Sequence, residues 1–340
     1  MVQSMQGGSL REGRMNMQQY EVTQLDTPGG RVIRLLDYSM KAEVDIIPAV
    51  GNNLIRYSLA GHDIIAGPPE LISLSEHSSE FGVPILFPPS RIRNGRFTFA
   101  GKSYQMPLHE GGHHLHGEIR YLPWKVTEWG VNEQLGAFVT SEIAYEEHPK
   151  LLSYYPHPLR FRFTYSLLEG QLHLHGEITN EGSESAPFGL GFHPYFAFKQ
   201  EDAASLRIVV PAAERYEVEP EGFVLGLPKA TAICEHLSMG MQLDDLPADA
   251  DHMMLKLKQG ETTCSLLFPE KGLKLNYEFD PKFQFMIVFK PTWMDAVSLE
   301  PYTSITDAFN TDLPLEFTGA NELRSGEKFT FYWKMGLDLV

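Results

Sequence analysis

The chain has 340 residues, 43% of them hydrophobic and 11% aromatic, and a formal net charge of -16 with no long run of lysine or arginine. That balance supplies a sizeable core but argues against nucleic-acid or anionic-membrane partners, which need a basic footprint. No stretch approaches the roughly 20 apolar residues that span a bilayer, and no apolar signal segment stands near the N-terminus, so the sequence reads as soluble and cytoplasmic.

In chain order, residues 1–16 read as a disordered leader or tag remnant, polar and unpatterned. Residues 17–340 read as one domain, because no linker-like stretch divides them and no fixed repeat recurs. Hydrophobic residues then alternate with a period of two almost throughout. Short runs fall at 31–36, 42–48, 54–59, 96–104 and 124–129. The clearest lies at 159–167, where Phe161, Phe163 and Tyr165 alternate with Arg160, Arg162 and Thr164. It turns at Glu169-Gly170-Gln171 and resumes at 172–178, which predicts a β-hairpin. Further runs occupy 206–210, 253–257, 265–268, 273–279, 285–289 and 329–335. Short helices are expected only at 70–80 and 305–309. With no alternating βα units, the pattern predicts an all-β fold, a large antiparallel β-sandwich with few short helices.

Cys234 and Cys264 fit neither a metal-knuckle spacing nor a disulfide framework, and read as buried free thiols. His109, His113, His114 and His116 crowd into eight residues, and His114 and His116 would project to the same side of an extended strand. That count invites a metal, but no further ligand stands at matched spacing, and none is expected. His173 and His175 fall on the polar face of the predicted hairpin and read as solvated.

Two segments carry more chemistry. Gly189-Leu190-Gly191-Phe192-His193-Pro194-Tyr195-Phe196 reads as a strand that delivers one imidazole before a proline. Ala296-Val297-Ser298-Leu299-Glu300-Pro301-Tyr302-Thr303 reads as a strand that delivers one carboxylate and breaks at proline. An imidazole and a carboxylate suit proton transfer in both directions if the fold brings them together.

Together these segments resemble the aldose 1-epimerase (mutarotase) family. Phe192-His193-Pro194-Tyr195-Phe196 matches its His-Pro-Tyr-Phe signature, and Leu299-Glu300-Pro301-Tyr302 resembles its Glu-Pro motif, trailed by Asp307-Ala308-Phe309-Asn310. Leu115-His116-Gly117 is similar to its Leu-His-Gly motif. The segment from Phe81 to Ile92 resembles its strand and loop before an Asn-Arg-Ile motif, although Ser90 stands where many members carry asparagine. Asp251, in Ala250-Asp251-His252, resembles its sugar-binding aspartate.

The resemblance implies a galactose mutarotase-like super-sandwich that interconverts the α and β anomers of an aldohexose by acid–base ring opening and closing, with no cofactor. It implies His193 as general acid, Glu300 as general base, and Arg91, His116 and Asp251 as sugar-binding residues. Phe289 or Trp293 would offer an aromatic face. Two alternatives stay open. One is an epimerase of a hexose phosphate or unusual sugar, served by Arg91, Arg93 and Arg96; the other is a carbohydrate-binding sandwich without turnover. His193 and Glu300 are expected within one sugar ring's reach but not in contact. The oligomeric state is left open.

Overall fold

The computed structural model describes residues 19–247 and 252–340; the expected leader lies outside them. The period-two runs form two large antiparallel sheets. The first has twelve strands, in the order Tyr20–Thr27, Gly30–Asp37, Ala42–Ile47, Asn53–Leu59, His62–Ile65, Tyr195–Ala197, Ala296–Tyr302, Phe285–Phe289, Met253–Leu257 and Ala212–Arg215, with Gly191–Phe192 and Ile85–Leu86 joined at its middle. The second has nine, and its centre is the expected hairpin, now Leu159–Leu168 with Gln171–Asn180, flanked by Gly136–Ala144 and Lys328–Leu339.

Alternation explains how the sheets pack. In the hairpin Phe161, Phe163, Tyr165, Leu172 and Leu174 are fully buried, whereas the residues between them are mostly part-exposed or exposed. Val44, Tyr57, Phe196, Val288 and Leu299 of the first sheet join the same core cluster as Phe163, Tyr165 and Trp333 of the second. Each such side chain contributes about 1.5–3 kcal/mol on leaving water. Some polar tips inside the core are satisfied across the layers, as where the Tyr57 hydroxyl donates to the Gly170 carbonyl at 2.6 Å.

Several expectations change. The nine-residue strand Gly136–Ala144 carries no alternating signature, because nearly every residue on both faces is buried. Its polar Thr140 is accommodated by a hydroxyl pair with Thr164 at 2.8 Å. The helices expected at 70–80 and 305–309 shrink to the 3-10 turns Leu71–Ser75 and Ala308–Asn310. Three short α-helices form elsewhere among the described residues, at Pro149–Tyr154, Ala232–Met239 and Leu315–Thr318. Cys234 and Cys264 are buried and free, as expected. Among the described residues no helix is long and apolar enough to cross a membrane.

One strand orients everything that follows. In Ala296–Tyr302, Val297 and Leu299 point into the shared core, so Ser298, Glu300 and Tyr302 point to the sheet's opposite face. The strand does not break at Pro301 but runs through it. Its neighbour is the segment that breaks, into Gly191–Phe192 and Tyr195–Ala197, with His193 and Pro194 between. Gly191 is required there, since a Cβ would meet the Tyr302 ring at 2.4 Å.

Candidate active site

Tyr195 pairs with Ser298 and Gly191 with Tyr302. Extending that register across the break sets His193 opposite Glu300. Directly opposed residues of an antiparallel pair hold their Cβ atoms about 5 Å apart. Contact follows: His193 Nε2 lies 3.2 Å from Glu300 Oε1, where a separation of one sugar ring was expected. Both are buried, at 6% and 2% exposure.

Hydrogen-bond accounting fixes the imidazole. The Ser298 hydroxyl donates its one proton to the Pro194 carbonyl at 2.8 Å. It can therefore only accept from His193 Nδ1, also at 2.8 Å, so Nδ1 carries a proton. His193 Nε2 is left to face Glu300 and the Tyr195 hydroxyl, the latter 3.3 Å away. The Tyr195 ring stacks on the imidazole at 4.4 Å between centroids, and its hydroxyl donates away, to the Ser79 carbonyl at 2.8 Å. On the far side of the carboxylate, Tyr302 donates to Glu300 Oε2 at 2.6 Å. Burial pushes the Glu300 carboxyl up to about 8, with the Tyr302 bond and the Arg91 charge opposing. Burial pushes the His193 imidazole down. Near neutral pH the pair holds one proton besides that on Nδ1, and burial of both groups favours it on the Glu300 carboxyl, facing a neutral Nε2.

This pair sits on the floor of a cleft of about 290 Å3. Ile287 and Phe289, opposite Glu300 and Ser298 in the next strand, extend the floor. Arg91 and His116 form a wall, and Trp293 lines the rim. Burial lowers the Arg91 guanidinium, opposed by the nearby Tyr302 hydroxyl and Glu300 carboxyl. Ser90 reaches the cleft too, but its hydroxyl is engaged with Thr306 at 2.7 Å.

The wall is held by loops. Arg91 pairs with Leu115 in the two-residue ladder of Arg91–Ile92 with His114–Leu115. The strand expected to carry both His114 and His116 ends at Leu115, because His116 takes φ +61°. So the two rings part: His114 turns inward and donates from Nδ1 to the Pro107 carbonyl at 2.8 Å, while His116 faces the cleft. The Ser90 amide donates to His116 Nδ1 at 3.2 Å, which puts the ring proton on Nε2. Burial, then the Arg120 charge, pushes this imidazole well below its usual range, so it is a neutral donor. Gly117 follows with φ +71°, and a Cβ there would strike the Phe87 carbonyl at 1.8 Å.

Arg120, 3% exposed, locks this turn. Its Nη1 donates to the carbonyls of Leu115 and Gly117, on either side of His116, and its guanidinium lies 4.3 Å over the Tyr121 ring. The Asp307-to-Asn310 turn braces the Arg91 side. The Asp307 amide donates to the Arg91 carbonyl and the Arg93 amide to Asp307 Oδ1, both at 3.1 Å.

The remaining candidates disperse. Asp251 lies outside the described residues, but His252, next in the chain, lines the cleft. Arg93 is paired with Glu219 at 2.9 Å and Arg96 with Gln105, leaving Arg91 the one arginine lining the cleft among the described residues. His109, His114 and Glu118 bring possible metal-ligand atoms within 4.8 Å of one another. The Leu115 amide donates to His109 Nδ1 at 2.9 Å, so the ring proton sits on Nε2, 2.9 Å from Glu118. In this arrangement His109 offers Glu118 a proton where a metal would need a lone pair. Ser298, Tyr195, Tyr302, Arg120 and His252 were not singled out from sequence. Ser298 and Tyr302 had a signal, as the residues two before and two after Glu300, and so did Tyr195, within the His-Pro-Tyr-Phe signature.

The architecture is a galactose mutarotase-like β-sandwich. A galactose mutarotase-like protein from Clostridium acetobutylicum superposes with a TM-score of 0.86 at 21% identity, covering 95% of this chain and 100% of that one. The chain belongs to the aldose 1-epimerase family, whose model matches residues 38–335. An uncharacterized Escherichia coli protein, YihR, is 23% identical over 275 residues, 79% of this chain and 83% of that protein. Rat galactose mutarotase is 29% identical over 134 residues, 39% of this chain and 37% of that protein.

Proposed function

We propose that this chain is an aldose 1-epimerase that interconverts the α and β anomers of a free aldohexose. The observation that carries the reading is the His193–Glu300 pair, buried and 3.2 Å apart at the base of an open cleft. A buried ionisable pair is costly to keep where packing would serve as well, so its retention on the cleft side of the sheet supports turnover over binding alone.

The reaction needs one acid and one base. The proton shared by the pair first passes from Glu300 to His193 Nε2, 3.2 Å away. Glu300 then takes the proton of the anomeric hydroxyl while His193 Nε2–H protonates the ring oxygen. The bond from the anomeric carbon to the ring oxygen breaks, leaving an aldehyde and a free hydroxyl. Rotation about the first carbon–carbon bond presents the other aldehyde face. Closure reverses both transfers, with His193 recovering its proton and Glu300 returning one to the anomeric oxygen. Ring opening converts an imidazolium–carboxylate pair into a neutral imidazole and carboxylic acid, the state that burial favours. The Ser298 bond to Nδ1 holds the imidazole so that Nε2 stays beside Glu300 at the cleft floor. Arg91 and neutral His116 Nε2–H donate to sugar hydroxyls, and Phe289 and Trp293 cover its apolar carbons. That Arg93 and Arg96 are engaged elsewhere supports an uncharged sugar over a hexose phosphate.

Time-resolved polarimetry of freshly dissolved α-glucose and α-galactose tests the proposal. Acceleration well above the buffer rate is expected for at least one. Equal rates with and without protein for every aldose tried would defeat it.

A further inference from the structure

The loop joining Phe285–Phe289 to Ala296–Tyr302 carries Lys290, Thr292, Trp293 and Asp295. Trp293 is 48% exposed. On one side it lines the cleft that holds His193 and Glu300; on the other it lines a second depression of about 380 Å3, shared with Gln200, Asp244, Lys290 and Thr292. A single exposed aromatic on a protein surface needs no explanation. Trp293 is different because it is backed: its ring contacts Phe289 at 5.7 Å and Tyr195 at 6.5 Å between centroids. Since Tyr195 stacks on His193, aromatic rings run without a gap from the imidazole to the second depression.

The chemistry around that depression suits a pyranose ring. An indole face accepts the apolar carbons, while amide, carboxylate, hydroxyl and ammonium groups can bond the surrounding hydroxyls. Lys290 and Asp244 are 3.5 Å apart and both solvent-accessible. Such a pair is worth little and exchanges readily for sugar hydroxyls. Anomerisation alters only the reducing ring, so a substituent elsewhere on it is chemically silent. A second ring can contribute only binding, which lowers KM and leaves kcat alone.

We propose that the Trp293 loop forms a second sugar subsite, making reducing disaccharides or longer saccharides the preferred substrates. The reducing ring occupies the His193–Glu300 cleft and the next ring lies along Trp293. The placement of the reducing end rests on the acid–base reading above; the subsite itself is a matter of binding.

The test compares glucose and galactose with maltose, cellobiose and lactose by polarimetry, for the wild type and for Lys290→Ala and Asp244→Ala. At least one disaccharide is expected to exceed its reducing monosaccharide about tenfold in kcat/KM, through KM. In either variant that ratio should fall to about twofold or less. Monosaccharide turnover with no disaccharide advantage, or a ratio unmoved by both variants, overturns the subsite and leaves the acid–base reading standing. Methyl glycosides of the same sugars cannot open, and titrating them against tryptophan fluorescence separates the remaining case. Tighter binding of methyl disaccharides than of methyl monosaccharides, lost in Lys290→Ala, with no sugar turned over, would uphold the subsite and sink the epimerase.

Discussion

On the floor of the cleft, Ser298, Glu300, Tyr302 and His193 are placed by strand register, whereas on its wall Arg91 and His116 hang from loops tied by side-chain bonds to backbone. A one-residue slip of the floor strand would turn Glu300 into the core and Leu299 into the cleft. Any such slip would also lose the packing of Val297 and Leu299, so the fold protects the floor as a whole. The wall has no such collective safeguard. Each of its residues depends on one or two named bonds, and can be altered alone.

The sharpest test of that contrast is Glu300→Gln, which keeps size and removes the base. Turnover should fall about a hundred- to ten-thousand-fold with little change in KM, read by polarimetry across sugar concentration. A loss confined to KM would move Glu300 to the binding side of the comparison. Next comes pH. In the proposed mechanism the floor works only while His193 and Glu300 hold one proton between them besides that on Nδ1. With Glu300 raised to about 8, kcat/KM should decline as pH climbs through that value, because the shared proton is then lost and no acid remains. With His193 lowered, a second proton binds only well below the usual imidazole range, so activity should persist there. A profile rising steadily to pH 10 would contradict this account.

A wall substitution should behave differently. Arg120→Ala strips the carbonyls of Leu115 and Gly117 of their donor and frees the His116 turn. KM should rise about tenfold with kcat changed by roughly threefold or less. The two unpaired carbonyls should cost about 1–3 kcal/mol each, seen as a lower melting temperature. Arg120→Lys should rescue only part, since a single ammonium cannot reproduce the planar fork. An equal fall in kcat would make Arg120 part of the chemistry. The smallest effect belongs to His175→Ala on the outer face of the other sheet, where melting should shift by no more than about 0.5 kcal/mol equivalent.

The sheets and the floor residues were legible because they follow a period of two, the simplest code a sequence carries. Glu300 stands out as a carboxylate in an otherwise apolar run, and Ser298 and Tyr302 share its face by the same count. Contact between His193 and Glu300 was not legible. It depends on which strands become neighbours and in what register, and no local pattern states that. Gly136–Ala144 escaped notice because burial on both faces erases alternation. Arg120 carries no local signal, since its worth lies in two backbone carbonyls that only the folded turn brings within reach. His116 was legible as a cleft residue, but its direction relative to His114 was not, because a left-handed histidine before Gly117 reverses the direction that a strand would give it.

The Ser298 hydroxyl ends its chain of hydrogen bonds on the Pro194 carbonyl, a group with no proton to pass on. The imidazole's rear nitrogen is thus cut off from bulk water by a blind alley. In the proposed reaction every proton that leaves the sugar is lodged one bond away and handed back when the ring closes. The circuit is therefore sealed, needing neither buffer nor solvent to reset between cycles. Turnover should be indifferent to buffer concentration, and a molecule could flip from one anomer to the other many times in a single residence.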